Sequence, residues 1–409
     1  MTGTKRSSAW PATWIIAGAL AAAAGCATQE PQMAVQEDTA IPERAPVQAR
    51  PAPPPRPPPP PRPAAPERQP VKLLTGEALI ERLLPAGLAD RGGWAGDIHS
   101  AMFALGIEPR ADNVCAVLAV AAQESGFRAD PPVPDLGGIA QREIEKRRER
   151  TGIPKFMVQA ALGFASSDGR SYGERLNAAT TERQLSDVFE DFTGRVPLAK
   201  KFFAGHNPVR TGGPMQVSVA FAQAHAAAHP YPYPRSGSIR EEVFTRRGGI
   251  YFGVAHLLHY PAPYDDHVYR FADFNAGRFA SRNAAFQKAV SELSGVALEL
   301  DGDVLRYEQG QPARVRSNTE AATLRLAERL GMRATEIRRD LELGLTAQFE
   351  GSRLYAEVFA AADRLQGRTA PRAVLPTIVL HTPKTTRQLT SDGFARRVAD
   401  RYRACLARA

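Results

Sequence analysis

From about Val71 onward, apolar residues recur three and four positions apart, and stretches that alternate apolar with polar residues are few. The pattern predicts a mainly α chain. Helical spacing is clear in Gly76 to Leu84 (GEALIERLL) and from Trp94 to Leu105, and both lead into AVLAVAAQESGF, Ala116 to Phe127. Asp112 and Asn113 are good N-cap residues, the run after them is Ala, Val and Leu, and Gly126 ends it, so a buried helix is expected over about 113–125. Glu124 falls in its last turn. Counting back four, three and seven positions reaches Val120, Ala121 and Val117, so this one acid shares the apolar stripe. Desolvation disfavours a charged carboxylate and raises its pKa, which is how a glutamate is kept protonated to act as a general acid. The alternative is a Glu at a frayed helix end that reaches water.

The stretch from Asp130 to about His206 is polar, with helical pieces at Ile153–Phe164 and Leu185–Phe192, and is expected to form a long helical excursion near the acid. After it come GGPMQVS, Gly212 to Ser218, a glycine-opened turn leading into a helix through VAFAQAHAAAH; GGIYFGVAHLL, Gly248 to Leu258; and YRFADFNAG, Tyr269 to Gly277. Past about Glu299 the character changes. Leu298 to Gly310 alternates around an Asp-Gly pair and predicts a small hairpin. Helical sequence then runs from Thr319 to about Leu365, followed by AVLPTIVLHTP, which is either one strand or an extended tie. These divisions give a helical domain over residues 72–297 and a smaller, mostly helical region over 298–409.

The first 71 residues follow no such pattern. Lys5 and Arg6 precede an uncharged run from Trp14 to Ala24, which suits a signal-peptide core and is too short to span a bilayer as a helix. It ends in AAAGC, which resembles the bacterial lipobox, although Ala23 stands where Leu is usual. The resemblance implies cleavage after Gly25, so that residues 1–25 are the signal peptide, and lipid attachment at Cys26. An ordinary secretory signal with a chance cysteine is the alternative. Ala27 rather than Asp after the cysteine points, in Gram-negative bacteria, to the outer membrane, with the chain facing the periplasm. Residues 26–71 then form a linker. Between Pro51 and Pro70, 12 of 20 residues are proline, which favours polyproline II and a semi-rigid arm of ~60 Å.

With 409 residues the chain has room for two domains, and 43% hydrophobic content suffices for a sizeable core. A net charge of +9 favours polyanionic partners, yet the basic residues are scattered and no nucleic-acid motif is present, so nucleic acid is not an expected partner. No internal repeat is evident.

Four short motifs, weak alone, gain meaning from their order. Glu124-Ser125; then Gly213, Met215 and Gln216; then Ile250, Gly253 and Leu257; then Asn275, Ala276 and Gly277 resemble, in sequence, the motifs of the soluble lytic transglycosylases of the lysozyme superfamily. The likeness covers roughly residues 72–297. It implies a lysozyme-like helical fold and cleavage of the MurNAc-GlcNAc bond of peptidoglycan glycan strands. In that family one Glu protonates the leaving oxygen and then takes the proton of the sugar's own 6-hydroxyl, leaving 1,6-anhydromuramic acid. The resemblance gives Glu124 that role, assigns sugar and N-acetyl contacts to Gln216 and Asn275 with Met215 and Phe274 beside them, and has Ser125 support the reacting sugar. The N-terminal organisation is also similar to a group of proteobacterial lipoproteins classed as a domain of unknown function.

The chain departs from the pattern in several places. Pro214 replaces a Leu, Gly249 an Asn, His256 a Tyr and Phe274 a Tyr, and about 85 residues separate Glu124 from Gly213 where a few tens are usual. Glycosidases that work with paired carboxylates need a second acid. Asp130, Asp135, Asp265, Asp266 and Asp273 are available, but none sits in a motif that marks it. Two other functions therefore stand beside the first: a catalytically weak lipoprotein that binds the wall or recruits protein partners not named by the sequence, and a muramidase that uses water.

No cofactor is implied. His225, His229, His256 and His259 have helical spacings, yet no carboxylate or cysteine is arranged with them as a metal-ligand set, so packing or surface roles are expected. With Cys26 lipidated, Cys115 and Cys405 remain, and in an oxidising compartment they are candidates for a disulfide or for two separate thiols.

Overall fold

A computed structural model of the chain describes residues 75–196, 207–235, 237–308, 310–380 and 389–409. The expected signal peptide, Cys26 and the proline arm lie outside them. The described residues belong to one compact unit, residues 70–409. Among them are 17 α-helices, with only three two-residue antiparallel ladders, so the chain is mainly α as the spacing of its apolar residues predicted. No helix among the described residues is long and apolar enough to cross a membrane.

Two hydrophobic clusters hold the helices. The first gathers Gly76–Leu83, Arg91–Ala104, Ala111–Glu124, Val219–Ala228, Arg246–Leu258, His267–Ala276 and, from the other end of the chain, Ser391–Leu406. The second is built by Ala280–Ser294, Asn318–Arg325, Ala334–Leu341 and Arg353–Gln366. The cores therefore divide the chain before residue 297, between Phe274 and Ala285, and the last helix leaves the C-terminal region to pack on the first core. Its apolar face, Phe394, Ala395, Val398 and Ala399, is buried there, and Cys405 is bonded to Cys115 of the Glu124 helix. Tyr402 stacks on His267, with ring centroids 4.9 Å apart.

The Glu124 helix, Ala111–Glu124, starts two residues earlier than its capping residues suggested. Asp112 is drawn into the first turn by an ion pair with Arg110 at 2.7 Å, and Asn113 spends its amide on the Glu108 carbonyl at 2.9 Å, so neither caps. The described part of the excursion, residues 130–196, contains four helices, Leu136–Thr151, Lys155–Gly163, Tyr172–Ala178 and Glu182–Arg195. The first escaped the apolar pattern because it buries only Leu136 and Gly137, whereas the third carried a readable signal, a capping box of Ser171 and Glu174.

Three further expectations shift. The hairpin forms between Tyr307–Glu308 and Gln311–Pro312 rather than around Asp301-Gly302, because Asp301 is held by Gln287 Nε2 at 2.6 Å and by the amide of Asp303 at 2.9 Å. The helical stretch after Thr319 is broken at Gly331, whose φ is +60°. Val379–Leu380 forms a short ladder with Leu389–Thr390, so the tie is partly strand.

Candidate functional site

The middle of the Glu124 helix is buried: Val114 through Ala121 are all inaccessible or nearly so. Glu124 is its last residue and is half-buried. Positive φ at Gly126 and Phe127, 59° and 62°, then turns the chain away, and Phe127 packs edge-on against Trp94. The Ser125 hydroxyl donates to the Pro214 carbonyl at 2.8 Å and accepts the Arg128 amide at 3.1 Å. It is a strut between segments rather than a group aimed at a ligand.

Pro214 lies in a tight hairpin. Thr211 pairs with Ser218 and Gly212 with Val217, and the turn closes through the Gln216 amide donating to the Gly213 carbonyl at 3.1 Å. Gln216 has φ +49°, a conformation uncommon for a residue with a side chain and one that concentrates at functional sites. Its side-chain amide donates to the Gly213 carbonyl at 3.3 Å and accepts from the Thr211 hydroxyl at 3.3 Å. The turn seats on the helix Arg246–Leu258, where glycines make room for it. A Cβ on Gly253 would overlap Met215, one on Gly249 would meet Pro214 at 2.5 Å, and one on Gly213 would overlap the Val243 carbonyl. Met215, expected to touch ligand, is instead fully buried in this packing.

The fourth motif is shaped by Asp273. This carboxylate is fully buried and accepts from the amides of Phe279 at 2.9 Å and Ser281 at 2.7 Å, from Tyr260 at 3.0 Å and from Tyr264. It thereby caps the helix Ala280–Ser294 and folds the turn that follows Asn275. Burial pushes its pKa up to about 7, against the pull of these hydrogen bonds. Asp266 caps the helix His267–Ala276 through Val268 N at 2.9 Å, and Asp135 pairs with Arg142 at 2.9 Å.

Glu124, Gln216, Phe274 and Asn275 line one cleft of about 450 Å³. Thr211, Ser218, Phe221 and His256 complete its walls, and Glu124 is the only carboxylate among the lining residues. The sequence offered no signal for Thr211, and it placed Ser218 only at the end of a glycine-opened turn and Phe221 only within the helix that follows. His256 donates from Nε2 to the Phe274 carbonyl at 3.2 Å, since that carbonyl can only accept, which leaves Nδ1 as an acceptor. Burial, and next the Arg278 guanidinium, lower its pKa to about 4, so the ring is neutral. Its Nδ1 and Asn275 Oδ1 are buried without a hydrogen-bond partner among the described residues. Two residues of one cleft thus each hold a buried acceptor that lacks a donor among the described residues.

A hollow of about 520 Å³ at the opposite end of the helix Arg246–Leu258 is lined by Asp97, Glu242 and Arg246 among others. It holds no motif residue, and its acids are already engaged, Asp97 with Arg246 and Glu242 with the Tyr231 hydroxyl at 2.8 Å. His225, His229 and His259 come together, with ring centroids 4.4 to 5.8 Å apart, but no group of three such side chains among the described residues is placed to hold a metal ion.

Residues 87–408 match a family model described as a protein of unknown function (DUF1615). A protein of Escherichia coli strain K12, named as the uncharacterized protein YaiW, is 49% identical over 335 residues, which is 82% of this chain and 90% of that protein. No solved structure matches.

Proposed function

The chain belongs to the DUF1615 family, and we propose that it is a peptidoglycan lytic transglycosylase held at the outer membrane by a lipid on Cys26. The observation that carries the proposal is the convergence on one cleft of Glu124, Gln216, Phe274 and Asn275 from three segments far apart in sequence. Glu124 protonates the glycosidic oxygen and then withdraws the proton of the 6-hydroxyl, which closes the anhydro ring without water. The cleft favours this over a two-carboxylate mechanism. Glu124 is its one acid, and Asp273, the acid nearest in sequence to the Asn275 motif, is sealed in the turn behind it. Asn275 lines the cleft with its Oδ1 buried and without a donor, and a turn of this side chain would offer that acceptor to the amide N–H or hydroxyl donors of an N-acetylated sugar.

A second reading, a wall-binding lipoprotein without turnover, draws on the internal bonding of the Gln216 amide, which must be released before it can hold a sugar. Mass spectrometry of the products from purified sacculi separates the readings. Anhydromuropeptides support the lyase, reducing ends support a muramidase, and sedimentation with sacculi without any release supports the binding protein.

A further inference from the structure

The helix Lys155–Gly163 has no buried residue, although KFMVQAALG is rich in apolar side chains. Val158, Ala161 and Leu162 are half-buried on the side of the helix Tyr172–Ala178. On the other side Phe156 is 70% exposed, Met157 53% and Phe164 54%, with Ala160 and Gly163 between them also exposed. At 3.6 residues per turn these five positions fall within about a third of the helix circumference. They form one outward apolar stripe. Soluble surfaces rarely leave such a stripe uncovered.

The charge of the residues that precede the stripe in sequence indicates what covers it. Residues 142–155 carry six cations and three carboxylates. Those carboxylates are used internally: Glu145 and Glu149 pair with Arg148 at 2.8 and 3.7 Å, and Glu143 with Arg150 at 3.4 Å. Lys146, Arg147 and Lys155 are exposed and have no ion pair among the described residues. A second copy of the chain would set like charges against each other. The proline arm carries Arg56, Arg62 and Arg68 against one acid, Glu67, a net charge of the same sign again.

We propose that this face docks on a bilayer surface containing anionic phospholipid. Phe156, Met157 and Phe164 enter the headgroup boundary, and Lys146, Arg147 and Lys155 meet lipid phosphates. Neither contribution is strong alone, and a lipid-tethered chain needs only such a weak second contact to be held against a membrane. The proposal goes beyond the reading of the cleft and stands without it.

The test uses residues 26–409 with Cys26→Ser, so that no lipid contributes, and co-sedimentation with vesicles. Binding is expected to vesicles of phosphatidylethanolamine and phosphatidylglycerol, to fall steeply with salt, and to be far weaker on phosphatidylcholine alone. Phe156→Ser, Met157→Ser and Phe164→Ser together lower it at least about tenfold without changing thermal unfolding, since none of the three is buried. Lys146→Glu with Arg147→Glu lowers it by a similar factor on anionic vesicles only. Absence of wild-type binding, or equal binding by the triple serine variant, overturns the proposal. So does a wild-type dimer in sedimentation velocity that the serine variant abolishes, which would assign the face to a second copy.

Discussion

The Ser125 hydroxyl donates to the Pro214 carbonyl at 2.8 Å, and this bond, spanning 89 positions of sequence, ties the end of the Glu124 helix to the hairpin that presents Gln216. The acid and the amide are therefore placed by one another.

Ser125→Ala removes the donor and leaves a part-buried carbonyl unpaired. The expected cost is about 1 kcal/mol in urea unfolding, together with a fall in sacculus turnover that the stability loss alone does not explain. Ser125→Thr should recover part of both.

Glu124→Gln keeps the shape of the side chain and removes the proton donor. Release of anhydromuropeptides from sacculi should fall by about 10² to 10⁴ or more, with sedimentation on sacculi retained. Asp265→Asn and Asp266→Asn should cost much less. Asp273→Asn should act through folding, as a lowered melting temperature, because its carboxylate holds four donors inside the protein.

Gly253→Ala places a methyl group against Met215. Overpacking of this kind costs about 1–3 kcal/mol, and here it should also displace the hairpin from its seat. A matched Met215→Ala change in the Gly253→Ala background should restore part of the loss, which a double-mutant cycle in urea unfolding would register.

Cys115 and Cys405 are joined across 290 residues. Cys405→Ser should lower stability by roughly 2–5 kcal/mol and release the C-terminal helix first, measured as early amide exchange over residues 391–406. Thiol labelling of the unreduced, denatured Cys26→Ser chain should find no reactive cysteine.

The two buried histidines should oppose folding in acid. His225 and His256 are both lowered to about 4, chiefly by burial, so below their ordinary pKa of 6.5 the unfolded chain binds protons that the folded chain refuses. Their contribution is present above pH 6.5 and lost as pH falls toward 4. Asp273, raised to about 7, works in the opposite direction over the same window. Asp303, raised to about 6 by burial, opposes the histidines as well, so their part is read as the difference between wild type and a variant. In urea unfolding across pH 7 to 4.5, His256→Gln should lose less stability on acidification than the wild type does.

The sequence by itself determined the helical class, the helix that ends in Glu124 and the order of the four motifs, because helical periodicity and caps are properties of neighbouring residues. The pairing of Cys115 with Cys405 stood there as one of two outcomes. Only the tertiary structure decided which motif residues line the cleft. Met215 and Gln216 are adjacent in sequence, yet one packs under Gly253 and the other lines the cleft, and the difference lies in a hairpin turn and a helix some 30 residues on. Likewise nothing local to the last helix, Ser391–Leu406, says that its apolar face belongs to the first core. Burial depends on partners remote in sequence, and those partners exist only once the chain is folded.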